Sequence, residues 1–182
     1  MFTNNFFQMQ ESGFLDSKIT VVLPDASQMK SVYAKYSYNS PGKYMRYGRC
    51  RSIVSTPLAS SQLATYCGIY FGSGSTPANK NDYTLESVIE SGLSISNPSS
   101  LVQSNDGNGK YSFSSPIVIS NTSDAEININ EIGLFLPGGE NGSQWYLLLM
   151  ERTVLTEPIT IAPGESKLVE YKLTFNQTMN VE

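Results

Sequence analysis

The segment from Asn121 to Phe175 constrains the fold more than any other part of the chain. It contains runs of alternating or dense apolar residues, separated by Pro-Gly, Asn-Gly and Ala-Pro-Gly sequences that are typical of turns. Alternation with a period of two indicates β-strands that bury one face. The segment therefore predicts an antiparallel sheet, and nothing in it has a pattern typical of catalysis.

Two details of this segment give finer predictions. Ile127 and Ile129 have one parity, whereas the apolar residues from Ile132 onwards have the other. This change of phase predicts a β-bulge at Asn130-Glu131. Trp145–Met150 is apolar at every position, which predicts a central strand covered on both faces.

The rest of the chain points to the same fold class. Asp106–Gly109 reads Asp-Gly-Asn-Gly, a sequence that accepts positive φ and predicts a hairpin. No stretch has a convincing helical period with caps, and Thr56–Thr65 is only a weak candidate. Short strands that are separated by turn signals about every 8–12 residues predict an all-β protein. We expect an antiparallel β-sandwich or jelly-roll-like fold with an irregular, aromatic-rich N-terminal arm.

The net charge of −4 is unevenly distributed along the chain. Residues 1–60 hold seven Lys and Arg against three Asp and Glu, whereas residues 61–182 hold five against thirteen. We predict an N-terminal arm with a basic, Tyr-rich interaction segment over 1–60 and a β-sandwich domain over 61–182. The opposite charges favour head-to-tail association of copies. An equal alternative is that the basic and the acidic surface are both exposed to solvent and do not associate.

The residues that we predict to form an assembly interface lie in this N-terminal region. Aromatic and arginine side chains dominate protein–protein hot spots. The predicted set is Phe2, Phe6, Phe7, Tyr44, Arg46, Tyr47, Arg49 and Arg51. Arginine interleaved with tyrosine also suits nucleic acid, but the acidic chain favours a protein partner. A solvated basic segment is the alternative for residues 43–51, and packing against the same domain is the alternative for the phenylalanines.

The composition excludes most kinds of catalytic site and metal-binding site. The chain has no histidine, and its only cysteines are Cys50 and Cys67. Nucleophile–histidine pairs and cysteine metal cages are therefore excluded. A Cys50–Cys67 bridge stays open, although a buried Cys67 thiol is the simpler interpretation.

The remaining candidate sites are weak, so we predict a protein that is not an enzyme and holds no cofactor or metal. Gly72–Thr76 lacks the lysine and the following helix of a phosphate-binding loop. Asp106 lacks the spaced ligands of a calcium loop. Glu126, Glu131 and Glu151 offer a carboxylate pair for glycoside hydrolysis, but solvent-facing strand positions are the default interpretation.

Targeting signals are not evident in the sequence. The N-terminal residues lack the basic start and apolar stretch of a secretory signal. No apolar run approaches the ~20 residues that a bilayer span needs. We therefore expect a protein that is made and kept in a cytoplasm and does not bind a membrane, so the glycosylation triplets at Asn121, Asn141 and Asn176 would be coincidental.

Several short motifs in Gly68–Leu85 and Asn121–Phe175 carry one and the same resemblance to known proteins. They are Gly72-x-Gly74-x-Thr76-Pro77 running into Asp82-Tyr83-x-Leu85, Asn-Thr-Ser at Asn121, Glu131-Ile132-Gly133-Leu134-Phe135, Leu148–Arg152 (one residue longer than Leu-Leu-x-Arg) and Glu157–Glu165. In these motifs the chain resembles small structural proteins of tailed-bacteriophage virions. The resemblance implies a β-sandwich used in capsid decoration, head fibres or tail attachments.

These observations lead to one functional expectation and two alternatives. We expect a non-catalytic virion structural protein that assembles on the capsid or tail through symmetric contacts with copies of itself and with other virion proteins. It would be made in the host bacterial cytoplasm and reside in the virion. The first alternative is a receptor- or carbohydrate-binding module of a phage fibre, with Trp145, Tyr83 and the Asn-rich turns as candidate ligand contacts. The second is a depolymerase that depends on a carboxylate pair.

Overall fold

The computed structural model of the protein describes residues 1–7, 18–22, 28–33, 68–96, 102–106, 109–140 and 144–176. The strands are β1 (Lys18–Val22), β2 (Gln28–Tyr33), β3 (Gly68–Gly72), β4 (Leu93–Ser96), β5 (Val102–Asn105), β6 (Lys110–Asn121), β7 (Ile127–Glu140), β8 (Gln144–Ile161) and β9 (Ser166–Asn176). A single helical turn covers residues 4–7. The predicted all-β class with antiparallel sheets is confirmed. The helical structure within the described ranges is too short to cross a bilayer.

The chain forms two compact units. One comprises Met1–Ser91 and Asn128–Thr160, and the other comprises Gly92–Ile127 and Ile161–Glu182. The first contains the β1–β2 hairpin and a sheet with the order β3-β7-β8, while the second contains β4, β5, β6 and β9. The predicted boundary after residue 60 falls outside the described residues and stays a prediction.

Strand β7 keeps one phase along its described side chains. The odd-numbered residues from Ile129 to Phe135 are all buried, and the register of residues 131–135 with β3 shows no shift. The predicted bulge at Asn130-Glu131 is therefore wrong, because Glu131 is a buried charge at an inward position of a regular strand. The turn expected at Pro137-Gly138 is also wrong, since β7 continues to Glu140.

A small core fixes the connection after β3 to this sheet. The rings of Tyr70 and Phe135 meet edge to face at 5.0 Å and pack with Leu85 and Leu149. Gly133 makes room for Leu85, because a Cβ at residue 133 would lie 2.8 Å from Leu85 Cδ2. Leu85 lies in the connection after β3, so hydrophobic packing holds one point of that connection.

The N-terminal residues pack against β8 of the same chain. Residues 1–3 run antiparallel to residues 150–152, with the backbone N–H groups of Thr3 and Arg152 donating across the pair at 2.9 and 3.0 Å. The Thr3 hydroxyl, on a residue that is 0% exposed, donates to Leu149 O at 2.5 Å. Packing against its own domain is therefore what the structure shows for this part of the arm.

This contact borders the second edge of β8 at residues 150–152. β7 borders one edge of the strand, residues 1–3 border the other, and Leu148, Leu149 and Met150 are 0–1% exposed. The prediction of a strand covered on both faces is confirmed for these three residues. The side chains of residues 144–147 lie outside the described part.

Replacing Thr3 by valine should lower the free energy of unfolding by about 1–2 kcal/mol. Valine keeps the shape of threonine but removes the buried hydroxyl that donates to Leu149 O. Urea denaturation of the variant measures the effect. Thr174→Val, at an exposed position of β9, is the matched control. Equal losses for the two variants would show that the Thr3 contact contributes nothing specific.

In the second unit, β6 is the central strand. β4 and β5 pair with different halves of one edge, and β9 pairs along the other edge. The predicted hairpin between β5 and β6 is confirmed: Asp106 N donates to Lys110 O at 3.1 Å, and Lys110 N donates to Asp106 Oδ1 at 3.0 Å. The carboxylate of Asp106 thus closes a turn.

The turn before β9 is also confirmed. Glu165 N donates to Ala162 O at 3.0 Å, and Gly164 has a φ of 74°. Proline followed by a glycine with positive φ is the combination that a type II turn requires.

Asn121 is a structural residue of the second unit. Its Nδ2 donates to Ala125 O at 2.7 Å and to Ile161 O at 2.9 Å, while Oδ1 accepts from Ser123 N and Oγ. The residue is 2% exposed. Because both amide hydrogens are bonded inside the fold, the Asn-Thr-Ser triplet forms a turn and does not offer an accessible glycan acceptor.

Candidate functional site

A charge cluster with a buried centre joins the loop after β3, residues 73–91, to strands β7 and β8. Arg152 on β8 is 3% exposed and Glu131 on β7 is 0% exposed. Asp82 and Glu86 reach Arg152 from the loop. We call these four residues the Arg152 cluster. Buried charges of this kind occur almost only when they are paired.

Arg152 uses each guanidinium nitrogen for a different partner. Nε donates to Glu131 Oε2 at 2.7 Å, Nη1 to Asp82 Oδ2 at 2.8 Å and Nη2 to Thr76 O at 3.1 Å. Burial acts to lower the pKa of Arg152, but the hydrogen bonds and charges of Asp82 and Glu131 outweigh it and raise the pKa above its ordinary value. The guanidinium therefore stays charged and holds the loop to both strands.

Glu131 also binds the loop backbone directly. Its carboxylate accepts from the N–H groups of Gly74, Glu86 and Ser87 at 3.2, 3.1 and 2.8 Å. Together with the Arg152 bond, these contacts satisfy a carboxylate that has no access to water. Glu131 thus organises both ends of the loop.

Two glycines allow the loop to pass over this carboxylate. A Cβ at Gly72 would lie 2.6 Å from Ser87 O and 2.7 Å from Glu131 Cγ. A Cβ at Gly74 would lie 2.5 Å from Glu86 Cβ and 2.6 Å from Glu131 Oε1. The Gly72-x-Gly74 sequence, which resembles a phosphate loop only in composition, is therefore explained by close backbone approach.

Asp82 and Glu86 also fix the backbone of the loop to which they belong. Asp82 Oδ2 accepts from Asn79 N, and Glu86 Oε2 accepts from Thr76 N, both at 2.8 Å. The side-chain and backbone hydrogen bonds with Thr76 lower the pKa of Glu86 below its ordinary 4.5. Glu86 is thus an ionised structural acceptor at neutral pH.

The Thr76–Glu86 contact should be lost in acid. Because the folded-state pKa of Glu86 is lowered, its stabilising contribution is complete above pH 4.5 and disappears as the pH falls through the folded-state pKa. Hydrogen exchange of the Thr76 amide, corrected for the intrinsic rate, should show protection at neutral pH that declines below this point. Glu86→Gln should remove this pH dependence. Protection that falls equally in the variant would contradict the assignment to Glu86.

An open depression lies beside the Arg152 cluster. Its volume is about 380 Å³, and its lining includes Tyr83, Asn79, Asn81 and Glu86. Asn81 Oδ1 accepts from Asn4 Nδ2 at 2.8 Å, so the N-terminal segment helps to place one wall. An aromatic ring with amides and a carboxylate can contact a polar ligand through both an apolar face and hydrogen bonds.

Of the three carboxylates predicted to face solvent, Glu126 is exposed, whereas Glu131 and Glu151 are buried. Glu131 is bound within the Arg152 cluster. Glu151, 5% exposed, accepts from the Thr153 hydroxyl and from the α-ammonium group of Met1, the latter at 2.8 Å. The solvent-facing interpretation is wrong for both residues: Glu131 is paired with the buried Arg152, and Glu151 is paired with the α-ammonium group of the exposed Met1. Among the described residues, no three acidic or cysteine side chains are placed to hold a metal.

The structure brings three predicted interface residues together. The rings of Phe2 and Phe6 stack at 4.2 Å, and those of Phe6 and Phe7 meet edge to face at 5.5 Å. Phe7 is 54% exposed. The other five predicted residues, the Cys50–Cys67 pair and the weak helix candidate Thr56–Thr65 lie outside the described residues and stay predictions: the five are Tyr44, Arg46, Tyr47, Arg49 and Arg51.

Sequence reasoning missed that Arg152 binds both Glu131 and Asp82. One signal was available: Glu131 has the same parity as Ile127, Ile129 and Phe135, as a charge on the inward face would. A buried carboxylate requires a cation, but no local spacing identifies which one. The pairing joins residues that are 21 and 70 positions apart.

Fold and site together define the class of this molecule: an all-β protein with antiparallel sheets, in which a buried arginine fixes a long loop. Comparisons with protein-family models, with curated proteins and with solved structures find no match to the chain.

Proposed function

We propose that the protein is a non-catalytic structural component of a tailed-bacteriophage virion. It acts on the capsid or tail through symmetric contacts with copies of itself and with other virion proteins. The observation that carries this proposal is the convergence of the phage-like motifs on the Arg152 cluster. Gly72 and Gly74 make room for Glu131, while Asp82 and Arg152 bind each other and Arg152 binds Glu131.

This convergence supports a structural function because of how the polar groups are used. The donors of Arg152 and the acceptors of Glu131 are bonded to the loop and strands. The polar groups at the centre of this site are bonded to each other and to the backbone. Their effect is to hold residues 73–91 in one conformation. A rigid loop on a sheet is suited to repeated contacts between identical subunits.

The proposal is tested on purified phage particles that carry the gene. Quantitative mass spectrometry should find the protein in the particles at a fixed ratio to the major capsid protein, and particles grown without the gene should lack a component or fail to assemble. A protein present in the lysate but absent from intact and partial particles would contradict the proposal.

The depression beside the Arg152 cluster favours carbohydrate or receptor binding as a second candidate function. Tyr83 offers a ring for stacking, and Asn79 and Asn81 offer amides at the rim. The side chain of Trp145, the other aromatic candidate, lies outside the described part. A receptor contact of this kind would suit a fibre module.

A glycan array with wild-type protein and Tyr83→Ala separates the two functions. Binding that Tyr83→Ala abolishes, and that the matched variant Tyr111→Ala on β6 retains, would support the second candidate. Absence of glycan binding by an otherwise assembled wild-type protein would dispose of the carbohydrate form of it.

A further inference from the structure

Among the described strands, β9 has one long edge that is not paired. All eleven of its residues pair with residues 110–120 of β6. Among the described strands, β9 pairs with β6 alone. The other edge of β9 therefore presents backbone N–H and C=O groups that no described strand covers. Such an edge readily accepts another strand.

The side chains of β9 alternate in exposure. The odd-numbered residues from Lys167 to Leu173 are partly buried, while Leu168, Glu170, Lys172 and Thr174 are exposed. On β6, the residues opposite Glu170 and Lys172 are Pro116 and Ser114. Neither charge forms an ion pair with any described residue, which leaves both available to a partner.

Two copies of β9 complement each other in one register. In an antiparallel pair related by a two-fold axis, complete overlap of Ser166–Asn176 places Tyr171 on the axis. Glu170 of each copy then lies opposite Lys172 of the other, and Val169 lies opposite Leu173. Opposite charges and apolar residues are thus matched on their respective faces.

Neighbouring registers lose this match. If the axis moves to residue 170, Glu170 faces Glu170 of the other copy. If it moves to residue 172, Lys172 faces Lys172. Like charges directly opposite each other are destabilising in a sheet. The register with the greatest overlap is therefore also the one that the charges select.

We propose that β9 pairs antiparallel with β9 of a second copy, centred on Tyr171, so that the sheets of two subunits become continuous. This inference rests on the proposed function as an assembling structural protein and names the contact through which assembly occurs. Each interface contains two Glu170–Lys172 pairs, related by the two-fold axis.

Charge exchange tests the contact. Glu170→Lys and Lys172→Glu, made singly, should each raise the dimer dissociation constant about tenfold, since both symmetric pairs become repulsive. The double variant should regain wild-type association. An equimolar mixture of the two single variants should form heterodimers, because both pairs are again complementary. Analytical ultracentrifugation and native mass spectrometry measure these results.

A charge change away from β9 serves as the control. Glu157→Lys, which makes the same charge change at an exposed position of β8, should leave association unchanged. Self-association that none of the β9 variants alters would overturn the β9 contact and leave the structural function intact. A wild-type protein that stays monomeric at all concentrations would also overturn it, and the particle measurement then decides the proposed function separately.

Discussion

Replacing Arg152 by methionine is expected to lower the free energy of unfolding by about 3–5 kcal/mol. Methionine can fill part of the volume, but Glu131 would remain 0% exposed without its cation. The bonds to Asp82 and Thr76 O would be lost as well. Denaturant unfolding measures the loss, and hydrogen exchange should show that residues 73–91 open first.

Two further variants make this result specific. Lys167→Met removes a half-exposed cation that lies 3.8 Å from Glu165, and it should cost no more than about 1 kcal/mol. Glu131→Gln combined with Arg152→Met should recover part of the loss, because the unpaired buried charge is then absent. A loss for Arg152→Met as small as that for Lys167→Met would contradict a structural role for the Arg152 cluster.

Gly72→Ala should lower the free energy of unfolding by about 3 kcal/mol, the upper part of the range for overpacking. The new methyl group would lie 2.6 Å from Ser87 O and 2.7 Å from Glu131 Cγ. Backbone on one side and a bonded carboxylate on the other leave little freedom to adjust. Thermal and urea denaturation, with proteolysis of residues 73–91, should report the change.

Gly164→Ala is the matched control for this substitution. No atom lies within 4 Å of a Cβ at residue 164, but its φ of +74 is unfavourable for alanine, so about 1 kcal/mol is expected. The effect of Gly72→Ala should also be less than additive with that of Arg152→Met, since both act through Glu131. A larger loss at Gly164 than at Gly72 would show that close contact is not what requires glycine at residue 72.

Local patterns predicted the elements of this fold well. Apolar runs in the Asn121–Phe175 segment indicated an antiparallel sheet, and Asp106–Gly109 identified the β5–β6 hairpin. These features depend on neighbours in the sequence, so a sequence can encode them visibly. The dense apolar run before Arg152 likewise indicated a covered strand.

Two of the errors share one physical cause. The solvent-facing interpretation of Glu131 assumed that a charge faces water, whereas Glu131 faces inward because Arg152 neutralises it. The same assumption placed Glu151 in solvent. Whether a charge is buried depends on a partner that is distant in the sequence, and that information is tertiary. The Gly72-x-Gly74 spacing could be recognised, but its reason required the position of Glu131.

The contact between residues 1–3 and residues 150–152 has a consequence for the order of folding. Thr3 leaves the ribosome long before the strand that receives it, since its buried partner Leu149 is 146 positions away. Closing so long a chain segment is slow and entropically costly until the intervening strands have formed. We therefore expect Thr3, among the earliest of these residues to be synthesised, to be one of the last to reach its native position.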